Sequence, residues 1–531
     1  MSSVAERLRP QFRAQFSAAL SLTNDRTFAV ALLLAVVPIW VGRYVPLIDM
    51  PQHAAQITAL HELWSGNAAF TALFEVNWFT PYLLGYLLLY VASLVMPVVV
   101  ATQLLVSVAV IALPLATAHL LRIVGADVRW RWLAIPCAFS FAFYWGFLSY
   151  IVAAPIALLF IARTVRFVQV PSVRNAVAIA VFAHLLFFCH VIVLGTASLA
   201  ALGYVAGATY RDPKTLALRC LPYATPLPLI AAWFAVTYRA ETSVQTDPIV
   251  YGGIEERFYQ LLLQPAGQDR ISLVTLLVTV AVVMLPALAG STFSRKPERW
   301  LPGALVLLVF LLMPHYVMST AYVFQRLGLF LVPLWLMAWD PPVALRRWLE
   351  GLAILAVLLV SFTNIGRFAG FARETESFRE VLAAVPPRHT VASMVYDPYS
   401  QFFTMPVYLH FPVWYQAQAS GIVDFNFANF FSQMVRFRRH ESGMTDSLSW
   451  TPTGFDWQSN GGERYDYFMV KSSSDVSADI FKEHRGSVEL VTRSGWWWLY
   501  RNLHRQAPAQ GAPASALDVL GDHEERTANR Q

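Results

Sequence analysis

Apolar runs of about 20 residues recur along the chain from Thr27 to about Gly366, each long enough to cross roughly 30 Å of hydrocarbon as a helix. The pattern predicts a first span from about Thr27 to Leu47, and a second from Val99 to Leu121. The stretches Trp132 to Phe167 and Ala176 to Tyr210 are too long for one span each and predict hairpins, with turns near Trp145 to Tyr150 and near His190 to Gly195. Later spans are expected over Ile271 to Ala289, Pro302 to Thr320, Val323 to Trp339 and Trp348 to Gly366. The shorter run Pro81 to Met96 reads as an interfacial or partly inserted helix. From about Arg367 the periodicity changes to that of a small α/β domain. Phe371 to Ala384 predicts a helix, Thr390 to Tyr396 and Tyr465 to Lys471 predict strands, and Ser487 to Tyr500 a terminal hairpin. The tail from 506 to 531, rich in Ala, Pro, Gln and charge, reads as disordered.

Composition agrees with membrane residence. Of 531 residues, 56% are hydrophobic and 14% charged, and the mean hydropathy is +0.48. The net charge of +6 raises the question of nucleic acid, but most Arg and Lys sit in short loops between spans, where membrane orientation accounts for them. No nucleic-acid partner is expected. The clusters Arg122 to Arg131, Arg163 to Arg174, Arg211 to Arg219, Arg295 to Arg299 and Arg346 with Arg347 read as cytoplasmic. Between Asp49 and Pro97 there is no Lys or Arg, which places that loop outside. The result is about eleven crossings, with a cytoplasmic segment over 1–26, a membrane domain over 27–366 with external loops 48–98 and 239–270, and an extracytoplasmic domain over 367–505. Cys137, Cys189 and Cys220 lie in apolar stretches, so no disulfide framework is implied.

Candidate chemistry begins where the first span ends, in VPLIDMPQHAAQITALHELW, residues 45 to 64. Pro51 suits the first turn of a helix. On it His53, Ile57, Leu60, His61 and Trp64 share a face, the spacing of a helix lying along a membrane surface. Asp49 has two readings. A carboxylate at an apolar boundary has its charged form disfavoured, which suits a base that takes a proton from a hydroxyl; the plainer reading is a helix cap. His53 follows four residues later and is a second candidate acid or base. Arg326, in QRLGLF, begins a span from the external side, and a cation at that depth calls for a partner: a lipid phosphate, or a group of the chain itself. Arg43 pairs with Asp49 or phosphate, or reaches headgroups. His190 and His315 fall near outer span ends, where a lone histidine is either a packing residue or a cavity base. Glu255 and Glu256 are acids of the loop 239–270, either solvated or facing a cavity. The Trp496 to Trp498 run and the aromatic segment Phe402 to Trp414 suit sugar stacking, a core, or membrane contact. No zinc-hydrolase, dinucleotide or phosphate-loop fingerprint is present.

The order of a first span, an acidic motif, a helix, a second Pro-led aromatic helix (WFTPYLLGYLLLY, residues 78 to 90) and a span ending in basic residues resembles the GT-C glycosyltransferase superfamily. DMPQH at 49 to 53, YWGFLSYIVAAPIALLFIAR at 144 to 163, AHLLFF at 183 to 188 and QRLGLFLVPL at 325 to 334 resemble, more narrowly, a widespread group of bacterial GT-C-like membrane proteins. The resemblance implies a polytopic α-helical inner-membrane protein with a C-terminal extracytoplasmic α/β domain. It implies a transferase that takes a sugar from a polyprenyl-phosphate donor on the outer face, with a lipid, glycan or protein acceptor. Asp49 stands at the superfamily's catalytic acidic position. Many relatives place a second acid beside the first, where this chain has Met50, and another in the next external turn, where it has Gly146, Phe147 and Ser149. A divalent metal stays open under the resemblance, but the paired carboxylates that would hold it are incomplete in this chain.

The mechanism these readings imply is one inverting displacement. Asp49 deprotonates an acceptor hydroxyl, while Arg326, with Arg43, stabilises the departing phosphate. A transporter or lipid flippase would also show many spans, though this chain has no repeated halves and few mid-span charges. A non-catalytic scaffold in envelope glycan assembly is the third reading, since fold does not fix chemistry.

Overall fold

The computed structural model describes residues 24–240, 247–342, 347–438, 448 and 450–504. The expected cytoplasmic segment, all but its last residues, and the tail after 505 lie outside these, as does part of the loop 239–270. The chain forms two compact units, one of Met1–Val41 with Leu104–Phe368, the other of Gly42–Gln103 with Ala369–Gln531.

Among the described residues four helices are long and apolar enough to cross a membrane: Val98–Val124, Leu148–Gln169, Val191–Thr209 and Trp348–Ala383. A fifth span arises if Pro213–Ala224 and Leu227–Ala240, bent by 47°, count as one. The expected eleven is thus not reached by length and composition alone; the remaining apolar helices, such as Val173–Cys189, Leu273–Leu288 and Val323–Met337, are shorter. The chain is a polytopic helical membrane protein with a C-terminal sheet.

Three local outcomes differ from the expected pattern. The first span runs only over Asp25–Trp40, capped by the Asn24 side chain, which accepts from the Arg26 and Thr27 amides. Beyond it Gly42 is packed so closely that a Cβ there would lie 2.6 Å from the Cβ of Ala372. The predicted turn near His190 is a single extended residue, φ −173° and ψ 117°, between Val173–Cys189 and Val191–Thr209. The span and the helix expected separately over 348–366 and 371–384 are one helix, Arg347–Ala383: no proline interrupts residues 366 to 371, and Gly366 and Gly370 do not take the positive φ with which a glycine ends a helix.

The second unit holds a five-stranded mixed sheet in the order Ile422–Val423, Thr390–Val395, Tyr467–Lys471, Trp497–Asn502, Val488–Ser494. The strand at 390 pairs in parallel with those at 422 and 467, and the rest pair antiparallel. All five residues of Tyr467–Lys471 are buried, as expected of a central strand covered on both faces. Trp457, Phe468, Phe481 and Trp498 pack in its core, and Trp497 is buried too, which assigns two of the three consecutive tryptophans to packing. Phe403, Phe411 and Trp414 are likewise buried. A short antiparallel pair, Phe74–Val76 with Val435–Phe437, joins the 48–98 segment to the C-terminal part of the same unit.

The helix Met50–Trp64 corrects an expectation. It does not lie on a surface: from Met50 to Leu60 every residue except Thr58 is buried, by the helix Trp414–Ala419, the helix Leu83–Ser93 and the segment around Phe411 and Phe427. Only its last turn, at Trp64, is exposed. It is the central helix of this unit.

Candidate functional site

Pro51 starts the helix Met50–Trp64, and Asp49 occupies the position before it. The Asp49 side chain makes no capping hydrogen bond, so the cap reading fails and the carboxylate is directed elsewhere. It is 6% exposed. Facing it is His410, 3% exposed, whose Nε2 lies 3.5 Å from Asp49 Oδ1. The imidazole is enclosed by Phe425, Phe427 and Trp450, with centroids 5.8 to 6.0 Å away. Burial, and after it the neighbouring His53 ring, pushes the His410 pKa down to about 3, so the ring is neutral at neutral pH.

One turn along, His53 approaches the Tyr86 hydroxyl through Nδ1 at 2.8 Å. That hydroxyl donates to Gln433 Oε1 at 2.6 Å. A hydroxyl has one proton to give, so the Nδ1 of His53 carries a hydrogen and donates to Tyr86. In the neutral ring the lone pair then belongs to Nε2. Tyr86 comes from the helix Leu83–Ser93, whose 11 residues span only about 16 Å. Its phenol is held well above its ordinary pKa by burial, with Tyr82 and Asp49 adding to the shift, so it stays protonated.

The structure thus brings Asp49 and His53 together and adds His410, Tyr86 and Gln433, none of which the chain's local pattern singles out. His410 lies within the Phe402 to Trp414 segment, where aromatic content drew attention to stacking rather than to the one imidazole. Gln52 and Gln56, also unremarked, carry buried amides. Gln56 exchanges two hydrogen bonds with the Val435 backbone, which anchors the helix to the 435 strand.

Arg43 is exposed and donates to Gln418 Oε1 at 2.7 Å, not to Asp49. In the other unit, Arg326 and His190 come together around Tyr150. The Tyr150 hydroxyl donates to the Arg326 carbonyl at 2.9 Å, and its ring packs on His190, centroids 5.1 Å apart. The Arg326 guanidinium lies 3.6 Å from the centroid of Phe147 and donates to the Ala321 carbonyl at 2.9 Å. His190 accepts from the Ile192 amide, a capping role. Glu256 and His315 also meet: Gln325 Nε2 donates to Glu256 Oε1 at 2.6 Å and reaches His315 Nδ1 at 2.7 Å. Glu255 is exposed. Among the described residues no three His, Cys, Asp or Glu side chains converge as a metal-binding group.

The sequence matches no family model and no curated protein. Solved structures do match in fold. ArnT from Cupriavidus metallidurans in the apo state superposes with a TM-score of 0.51 at 11% identity, over 91% of this chain and 98% of that one. The same protein bound to undecaprenyl phosphate gives 0.49 at 11% identity, with the same coverage. The apo comparison shows a shared fold across nearly the whole chain.

Proposed function

We propose that this chain is a membrane glycosyltransferase of the GT-C type, moving a hexose or pentose from a polyprenyl-phosphate donor to a lipid, glycan or protein acceptor on the outer face of the membrane. The observation that carries the reading is the Asp49 side chain: buried, at a helix start, yet not capping that helix. A carboxylate in that setting has no structural duty at the helix end, and its position suits proton acceptance from a hydroxyl. The shared fold with ArnT and the motifs around Asp49 support the reaction class.

In the proposed step Asp49 takes the acceptor's hydroxyl proton and the oxygen attacks the anomeric carbon. The bond from that carbon to the phosphate oxygen breaks, and the lipid phosphate leaves with the electron pair. Inversion follows from a single displacement. The proposed role of Arg326 is to bind the donor phosphate, for which a guanidinium has the right shape and charge.

Asp49→Asn tests this. Asn keeps the size, and since the aspartate does not cap, the fold has little to lose. Membranes bearing wild type or variant at matched levels are given tritiated undecaprenyl-phosphate hexose or pentose, and label entering acceptors is counted. Transfer is expected to drop by roughly 100- to 10,000-fold, the usual worth of a general base. Undiminished transfer in Asp49→Asn removes the residue from the mechanism, whereas wild-type transfer no greater than that of membranes lacking the protein favours the non-catalytic scaffold.

A further inference from the structure

His410 has no place in the mechanism so far, yet its hydrogen-bond environment is determined on both nitrogens. Gln52 is a fully buried amide. The Phe427 amide N–H donates to Gln52 Oε1 at 2.9 Å, which fixes the orientation of the amide group, since a nitrogen there would face another donor. Gln52 Nε2 therefore points the other way, at the Phe425 carbonyl, 3.5 Å, and at His410 Nδ1, 3.3 Å. An amide nitrogen can only donate, so His410 Nδ1 accepts. A neutral imidazole with an accepting Nδ1 has its hydrogen on Nε2, the atom that faces Asp49 Oδ1. The 3.5 Å separation is longer than a full N–H···O hydrogen bond by roughly half an ångström, within reach of a small rotation of the carboxylate.

Resting on the reading of Asp49 as the base, we infer that His410 is a positioning residue: held by Gln52 as its Nε2–H tautomer, it donates to Oδ1 and sets the plane of the Asp49 carboxylate toward the acceptor hydroxyl. The two histidines of this site thus have opposite tautomers. His53 carries its hydrogen on Nδ1, because Tyr86 accepts there, and His410 carries its hydrogen on Nε2, because Gln52 donates at Nδ1. Such an arrangement uses an N–H donor to orient an acid, as the second shell of many active sites does. A packing role alone would be indifferent to which nitrogen is protonated.

The test uses the full chain in lipid nanodiscs with 15N-labelled histidine, read by solid-state NMR at pH 7, the His410 signals being assigned by their loss in His410→Gln. Protonated Nε2 and bare Nδ1 are expected, with the Nε2–H signal moving in Asp49→Asn. A hydrogen on Nδ1, or an Nε2–H signal indifferent to Asp49→Asn, overturns the inference. Transfer from the tritiated undecaprenyl-phosphate sugars supplies the second arm. His410→Gln places an amide N–H near the original Nε2 and is expected to keep kcat within about threefold, whereas His410→Phe fills the ring's space without a donor and is expected to lose about tenfold in kcat at unchanged KM. Equal losses in both variants, or a loss confined to KM, count against positioning. The NMR result needs no turnover, so it separates the two claims: an active Asp49→Asn defeats the reading of Asp49 as the base, and the wrong tautomer defeats only the role of His410.

Discussion

The Nδ1 of His53 and the hydroxyl of Tyr86 lie 2.8 Å apart, and the onward bond from Tyr86 to Gln433 decides which of them donates. Removing the hydroxyl in Tyr86→Phe frees the His53 ring to exchange tautomers while leaving its packing intact. The expected loss is on the order of one hydrogen bond, about 1 kcal/mol, or roughly five- to tenfold in transfer rate. The rate of sugar transfer in membranes, with expression matched, is the measurement; a rate equal to wild type would detach His53 from the reaction.

Acid should weaken the second unit through His410. Its folded pKa of about 3 lies below the ordinary histidine value of 6.5, so the unfolded chain takes up the proton first as pH falls. The contribution to stability is therefore whole above about pH 6.5 and is lost progressively toward pH 3. The titratable groups facing the ring among the described residues are Asp49 and His53, and the uncharged Gln52, Phe425, Phe427 and Trp450 also lie against it. Thermal unfolding followed by tryptophan fluorescence from pH 7 to pH 4 should show a falling midpoint in wild type and a shallower fall in His410→Phe. Parallel curves for the two proteins would contradict the assignment.

Arg367 and Asp269 form an ion pair buried on both sides, with side chains 5% and 1% exposed, and Arg367 also donates to Gln268 Oε1 at 3.0 Å. Cutting one partner leaves a buried charge uncompensated, so Arg367→Ala is expected to cost about 3 to 5 kcal/mol, while the double replacement of both by leucine should recover most of it. Detergent-solubilised thermal stability reads this directly. If the single and double variants are equally unstable, the pair is not what sets the cost.

The orientation expected from the distribution of Lys and Arg is open to labelling. Cysteines placed at the exposed positions Ala68 and Ser473 should react with an impermeant thiol reagent added outside the cell, and one at the exposed Lys214 should not. The native Cys137 and Cys189 are buried, so the parent chain serves as the control. Reaction at Lys214 with silence at the other two would invert the topology.

Local pattern was enough for features that depend on local composition. The uninterrupted apolar run ending at Arg122 could only be a long helix, and it is Val98–Val124. The strands at 390 and 467 and the hairpin closing at Asn502 lie within two residues of their expected bounds, because alternation and a flanking Gly495 with φ of 53° are local signals. Asp49 stood out for a similar reason, as an acid set between an apolar run and a Pro-led helix.

Tertiary structure alone decided what surrounds that acid. Whether Asp49 caps a helix depends on a rotamer that neighbouring packing selects, and the sequence permits both outcomes. The helix Met50–Trp64 has the spacing of a surface helix, yet it is buried because Trp414–Ala419 and the Phe427 segment, some 350 residues away, cover its other faces. His410 and Gln433 reach the site from that same distance, and no periodicity or short-range motif links positions so far apart. Hydrogen-bond direction is a further step removed: it took the Phe427 amide on Gln52 and the Gln433 amide on Tyr86 to assign a proton to each of two imidazoles, because a histidine's tautomer is set by its partners and not by its neighbours in the chain.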